Sequence, residues 1–215
     1  SGWEISAYAG GCKVHVTGYN CRRDGAYLAF MRERLEKSYE RAEDSIRKLR
    51  AAGIPVTLKA AEAHRADPGS PLHTMHIAGA AAELMGRTPG EIYEEYLAPG
   101  RSAHSLIGRP TPEEATDCIH ASGGIASVAH PGRIALPFPE REAMIVRLAA
   151  YGIDGIEGVY TTHTEKETEY FRALAEKLGL FVTGGSDTHR EDEGHKIGLP
   201  VFYPSERLLR ALGMS

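Results

Sequence analysis

The chain has 215 residues, 42% hydrophobic and 25% charged, enough for one α/β domain with a subdomain and a substantial core. No run approaches the roughly 18 apolar residues of a membrane span, so no membrane partner is expected. The formal net charge of −4 argues against broad electrostatic attachment to nucleic acid, and stable DNA binding is not expected. Cys12, Cys21 and Cys118 are odd in number and lack CxxC spacing, and read as reduced thiols of a cytoplasmic protein.

Residues 3–9 and 12–18 both alternate in polarity, with Gly10-Gly11 between them, which predicts a tight β-hairpin. With the two glycines as loop residues, Ser6 falls opposite His15 and Glu4 opposite Thr17. Glu4 and His15 then share a face as diagonal neighbours, about 7–8 Å apart at the backbone. From that separation the pair either holds one metal ion or forms a salt bridge on a solvated face.

From 24 to 52 the pattern becomes helical. Leu28, Met31, Leu35, Tyr39, Ala42, Ile46 and Leu49 form one apolar stripe, which Gly53 and Pro55 end. A short helix is expected over 57–65, a loop over 66–70, and an Ala-rich helix over 72–85. That helix carries His73 and His76, which meet on one face; either one of them is a ligand or both are partly buried surface. Thr88-Pro-Gly-Glu is a capping box that opens a further helix to about 98. Residues 23–109 are therefore expected to form a helical insertion between 1–22 and 110–215.

After Pro110 helix and strand alternate. A capping box at 111–114 opens a helix that stops at Gly123-Gly124, and a strand over 125–129 runs into His130-Pro-Gly-Arg133. A helix over 140–151 leads to a strand at 155–160. A third capping box at 164–167 leads through another helix to a strand ending at Gly184. Strands separated by single helices imply a parallel arrangement. Each strand ends in polar, ligand-competent residues: His130, then 160–163 with His163, then Ser186-Asp-Thr-His189. Asp187 and His189 are two apart and point to one side of an extended segment, at the strand end where α/β folds bind ligands. The competing reading is a polar loop whose aspartate caps the next helix.

The candidate set is thus Glu4, His15, His76, His130, Asp187 and His189. These are imidazoles and carboxylates without a thiolate, which suits Zn²⁺, Mn²⁺ or Fe²⁺ in a hydrolytic centre rather than a structural zinc site. Gly-Trp-Glu-Ile-Ser at 2–6, Val-His-Val-Thr-Gly at 14–18, His-Ile-Ala at 76–78, Ala-His-Pro-Gly-Arg at 129–133 and Gly-Gly-Ser-Asp-Thr-His at 184–189 occur in that order. Together they resemble the polymerase and histidinol phosphatase (PHP) domain family, in particular its stand-alone bacterial phosphoesterases, such as nucleoside 3′,5′-bisphosphate phosphatases and exoribonucleases.

The resemblance implies a distorted (β/α)₇ barrel with a helical insertion and two or three divalent metal ions. It implies hydrolysis of a phosphomonoester of a nucleotide, short oligonucleotide or small phosphorylated metabolite, through attack by a metal-bridging hydroxide. By motif position Glu4, His15, His76, His130, Asp187 and His189 look like metal ligands, and Asp187, His189 and Arg133 like catalytic residues. Arg133 is similar in position to a phosphate-facing arginine, or it caps a carbonyl in its turn; His163, Arg101 and His104 are candidate substrate contacts. The family's His-x-His and Asp-His motifs do not occur, so the first barrel strands are expected upstream of Gly2.

Two rival readings remain. One is an amidohydrolase-like metal hydrolase that attacks a carbonyl. The other is a degenerate, non-catalytic PHP domain that binds a partner.

Overall fold

A computed structural model describes residues 1–188 and 196–214; His189 lies outside them. The chain divides into two compact units, Ser1–Tyr27 with Pro110–Ser215, and Leu28–Arg109.

The first unit is built on a five-stranded sheet in the order β1-β2-β3-β4-β5. β1 (Gly2–Ala9) and β2 (Cys12–Tyr19) form the expected hairpin, with Ser6 opposite His15 and Glu4 opposite Thr17. The tight connection needs positive φ at both loop residues, and Gly10 (φ 58) and Gly11 (φ 82) supply it without a Cβ penalty. β3 (Ile125–Val128) pairs antiparallel with β2. β4 (Gly155–Tyr160) and β5 (Phe181–Gly185) extend the sheet in parallel, as single-helix connections require. Among the described residues the sheet is open and does not close into a barrel.

Strand alternation divides the sheet into two unlike faces. Ala7, Val14, Val16, Ala126, Val128 and Ile156 are fully buried on one of them. The covering helices are α5 (Pro112–Ala121), α6 (Phe138–Tyr151) and α7 (Glu165–Lys177), through Ile119, Leu148 and Phe171 among others. The opposite face is polar. It carries Glu4, Ser6, His15, Thr17, Ser127, Glu157 and Thr183, with Ser127 Oγ bonded to Thr183 Oγ1 at 2.9 Å.

The second unit is helical. Its longest element is α1 (Gly25–Ala51), which begins three residues before the unit boundary; then come α2 (Leu58–Ala63), α3 (Thr74–Met85) and α4 (Pro89–Ile92) with a π turn at Tyr93–Leu97. The core sets Ile46 and Leu49 against Ile77, Ala78 and Ala81 of α3, with Ile92 and Leu97. The expected stripe on α1 needs correction at its start, because Leu28 is 54% exposed. Farther along, Ser38 and Arg41 are buried although they are polar. Their partners explain it: Ser38 Oγ accepts the Leu72 N–H at 2.9 Å, and Arg41 donates to the carbonyls of Ile107 and Leu72. Arg34 and Lys48, seven residues to either side of Arg41, likewise donate to Gly108 and His104 carbonyls at 3.1 and 2.7 Å. Cations at heptad spacing thereby satisfy the backbone of a segment that has no ladder of its own.

A last helix, α8 (Glu206–Ala211), returns against β5 in the first unit. No helix among the described residues is long and apolar enough to cross a membrane.

Candidate metal centre

Three side chains converge on the polar face of the sheet. Glu4 Oε1 lies 2.5 Å from His15 Nδ1, His15 Nδ1 lies 3.1 Å from His130 Nε2, and Glu4 Oε2 lies 3.7 Å from His130 Nε2. One donor atom from each falls within 4.8 Å of the other two. Zinc-like ligand lengths of about 2.0–2.2 Å give tetrahedral donors about 3.4 Å apart. The 3.1 and 3.7 Å separations bracket that spacing, while the 2.5 Å Glu4–His15 contact is a direct hydrogen bond; two imidazole nitrogens and a carboxylate are a donor set for a divalent ion.

The hairpin positions the first two candidate donors, and the third comes from the end of β3. Ala129 still bonds to the His15 carbonyl at 3.0 Å, and the chain then turns sharply at His130, with φ 28 and ψ 59. A left-handed conformation costs a residue with a Cβ about 1–2 kcal/mol. The Glu157 carboxylate accepts the His130 N–H at 2.5 Å and helps hold it there. His130 is only 8% exposed. On the far side of His15, Nε2 meets Ser6 Oγ at 3.1 Å, which fixes the ring and turns Nδ1 toward Glu4.

The electrostatics follow from these contacts. Burial raises the Glu4 carboxyl, but hydrogen bonds from His130 and His15 outweigh it and hold the group well below the usual range. Burial lowers His15, against the pull of Glu4. Glu157 is pushed up to about 7 by its burial, opposed by the His130 N–H.

A cavity of about 380 Å³ opens over these three side chains, lined also by Lys13, Arg133 and Asp187. Arg133 Nη1 donates to Asp187 Oδ2 at 3.1 Å and to the Tyr160 hydroxyl at 2.9 Å; that hydroxyl donates to the same Asp187 oxygen at 2.8 Å. Asp187 is thus beside the cluster, with one carboxylate oxygen held by Arg133 and Tyr160, and is not one of the three converging donors. Its φ of 53 makes it, after His130, the second left-handed residue with a side chain at this site.

Of the other sequence candidates, His163 belongs to the first unit, and His76, His104 and Arg101 to the second. His163 Nε2 accepts the Gly132 N–H at 3.2 Å and so braces the turn that presents Arg133. His76 belongs to the helical unit, where its Nδ1 accepts the His73 N–H at 3.1 Å at the start of α3. His104 is in the same unit and bonds the Leu97 carbonyl at 2.9 Å, and Arg101 there is exposed. Lys13 and Glu157 are not among the sequence candidates. Lys13 and His15 share a face by simple alternation, and Glu157 is the one charge in an otherwise uncharged strand; either signal was available.

No family model matches the chain. Curated relatives do match. The chain is 28% identical over 206 residues to the 5′-3′ exoribonuclease Rnm of Escherichia coli, covering 95% of this chain and 70% of the relative. It is 29% identical over 198 residues to the 3′,5′-nucleoside bisphosphate phosphatase of Chromobacterium violaceum, covering 90% and 68%. Both names denote phosphoester hydrolysis. They are consistent with a hydrolytic enzyme.

Among solved structures, an amidohydrolase from Chromobacterium violaceum with bound sulfate and no metal superposes with a TM-score of 0.76. It is 27% identical, and the match covers 98% of this chain and 76% of that one. A chain from Bifidobacterium adolescentis, described as a candidate metal-dependent phosphoesterase, matches with a TM-score of 0.70 at 21% identity, which speaks to the fold alone.

Proposed function

We propose that this protein is a metal-dependent phosphoesterase that releases phosphate from a nucleotide or another small phosphorylated molecule. The convergence of Glu4, His15 and His130 beneath a cavity that also presents Arg133 and Lys13 carries this reading. These three residues would hold a divalent ion, with Asp187 beside them as a further candidate ligand; His189, two residues on in the sequence, is a candidate that lies outside the described residues. Such an ion supplies charge neutralisation at the phosphoryl oxygens and a water acidic enough to attack near neutral pH.

The chain's own residues do the rest. Arg133, with its side chain 57% exposed, offers a planar fork for phosphate oxygens. Lys13 adds a second positive charge on the strand that carries His15. Tyr160 and Asp187 keep the guanidinium aimed at the cavity. The nucleotide-directed names of the relatives support a nucleotide or short RNA as substrate. Sheet order and fold likeness support reading the first unit as part of a (β/α)₇ PHP-type barrel, into which residues 23–109 are inserted.

The name of the superposed amidohydrolase favours a second reading, attack on a carbonyl. Phosphate release separates the two. Incubation with a nucleoside 3′,5′-bisphosphate and Mn²⁺ is expected to yield inorganic phosphate, and chelator to stop it. Hydrolysis of amides but not of phosphate esters by the Mn²⁺-loaded protein overturns the proposal.

A further inference from the structure

Strand β4 contains an irregularity that the reading above does not use. Its pairing with β5 runs Glu157 to Thr183 and then Val159 to Gly184 and Tyr160 to Gly185, so Gly158 is an extra residue, a β-bulge. In a regular strand, residues three apart face opposite sides. The bulge cancels one alternation and brings Glu157 and Tyr160 to the same face.

Each of them then meets a residue of the site that stands in a left-handed conformation. Glu157, 6% exposed, accepts the backbone N–H of His130, whose φ is 28. Tyr160, 2% exposed, donates its hydroxyl proton to the carboxylate of Asp187, whose φ is 53. The packing leaves little freedom for the first contact: a Cβ on Gly185 would come within 2.3 Å of Glu157 Oε1.

We infer that β4, through the bulge at Gly158, carries two positioning residues, Glu157 and Tyr160, which hold His130 and Asp187 in their left-handed conformations around the centre. The inference rests on the metal-site reading proposed above. Glu157 acts on His130 through the main chain, so the imidazole Nε2 faces Glu4 and His15. Tyr160 acts on the Asp187 carboxylate directly and shares it with Arg133. Bulges are known to re-aim side chains beside functional sites, and here one bulge serves two residues at once.

The test uses Co²⁺ as a spectroscopic probe, with affinity measured by chelator competition on the full chain. Glu157→Ala should bind Co²⁺ about 10-fold or more weakly and change its visible absorption, as loss of an outer-shell support does. Glu157→Gln keeps an amide oxygen to accept the His130 N–H and should recover wild-type affinity to within about threefold. Tyr160→Phe, which removes one hydroxyl, should weaken Co²⁺ binding and shift the absorption with little change in melting temperature.

Wild-type affinity and spectrum in both Glu157→Ala and Tyr160→Phe overturn the inference while leaving the metal site standing. So does a Glu157→Gln variant as impaired as Glu157→Ala. Should Glu157→Ala not fold, Glu157→Gln and Tyr160→Phe decide the matter: normal affinity in the first with weakened binding in the second supports it, and any other combination contradicts it. Absence of Co²⁺ binding by the wild type overturns the underlying metal-site reading itself.

Discussion

Oε1 of Glu4 stands 2.5 Å from Nδ1 of His15 across the β1–β2 hairpin, a diagonal contact on the polar face of the sheet. The two side chains are fixed relative to each other by a ladder in which every pair from Gly2 to Ala9 is matched. Glu4→Gln removes the charge and leaves the ladder intact. We expect Mn²⁺ affinity to fall by about 100-fold or more, beyond the 10–100-fold typical of outer-shell partners. Ser6→Ala, which frees His15 Nε2, should cost about 10-fold. Calorimetric titration of chelator-treated protein measures both.

Arg133 offers charge-assisted hydrogen bonds to the cavity, each contributing about 1.5–3 kcal/mol. Arg133→Ala should therefore lower kcat/KM for a phosphorylated substrate by about 10- to 100-fold. Arg133→Lys should restore only part of it, because an ammonium lacks the planar fork. Steady-state kinetics of the two variants checks this, and full rescue by lysine contradicts it.

Asp44 on α1 lies between Arg47 at 2.5 Å and Lys48 at 2.7 Å, with a side chain 12% exposed. Burial pushes its carboxyl up, but hydrogen bonds from Lys48, Ser105 and Arg47 prevail and bring it to about 2. A carboxylate depressed on folding stabilises the fold above its unfolded value near 4, and that contribution disappears as pH falls from about 4 to about 2. Relative to wild type, Asp44→Asn should be less stable at pH 6 by about 1–2 kcal/mol, allowing for partial solvent screening. The difference should close near pH 2. Urea unfolding across that range is the measurement.

Gly18 sits on the apolar face of β2, where a Cβ would meet Cys21 Sγ at 2.7 Å and Ile119 Cγ1 at 2.9 Å. Gly18→Ala overpacks this contact and should destabilise by about 1–3 kcal/mol. A lower urea midpoint with an unchanged slope reads out that loss.

Much of this architecture is legible in the sequence, for local reasons. Gly10-Gly11 between alternating runs fixes the hairpin register, and register alone brings Glu4 beside His15. The helix–strand grammar after Pro110 gives the parallel strands, and strand ends mark His130 and Asp187. What escapes is whatever depends on a distant partner or on one irregular residue. Period-two counting puts Glu157 and Tyr160 on opposite faces, and only the bulge at Gly158 reunites them. Arg41 and Ser38 are polar residues of α1, yet the distant carbonyls of Ile107 and Leu72 accept from Arg41, the Leu72 N–H donates to Ser38 Oγ, and both side chains are buried. Nothing local to α1 records those partners. Likewise His73 and His76 share a helix end, as their spacing suggests, but the Nδ1 of one bonds the backbone of the other there.

The most direct test of the account is phosphate release from a nucleoside 3′,5′-bisphosphate, compared between wild type and Glu4→Gln, with Mn²⁺ and then with chelator. The account predicts release by the wild type that chelator abolishes, and little release by Glu4→Gln at any Mn²⁺ concentration the wild type needs. Equal release by the two proteins, or release that survives chelation, would contradict the assignment of a metal-dependent phosphoesterase to this centre.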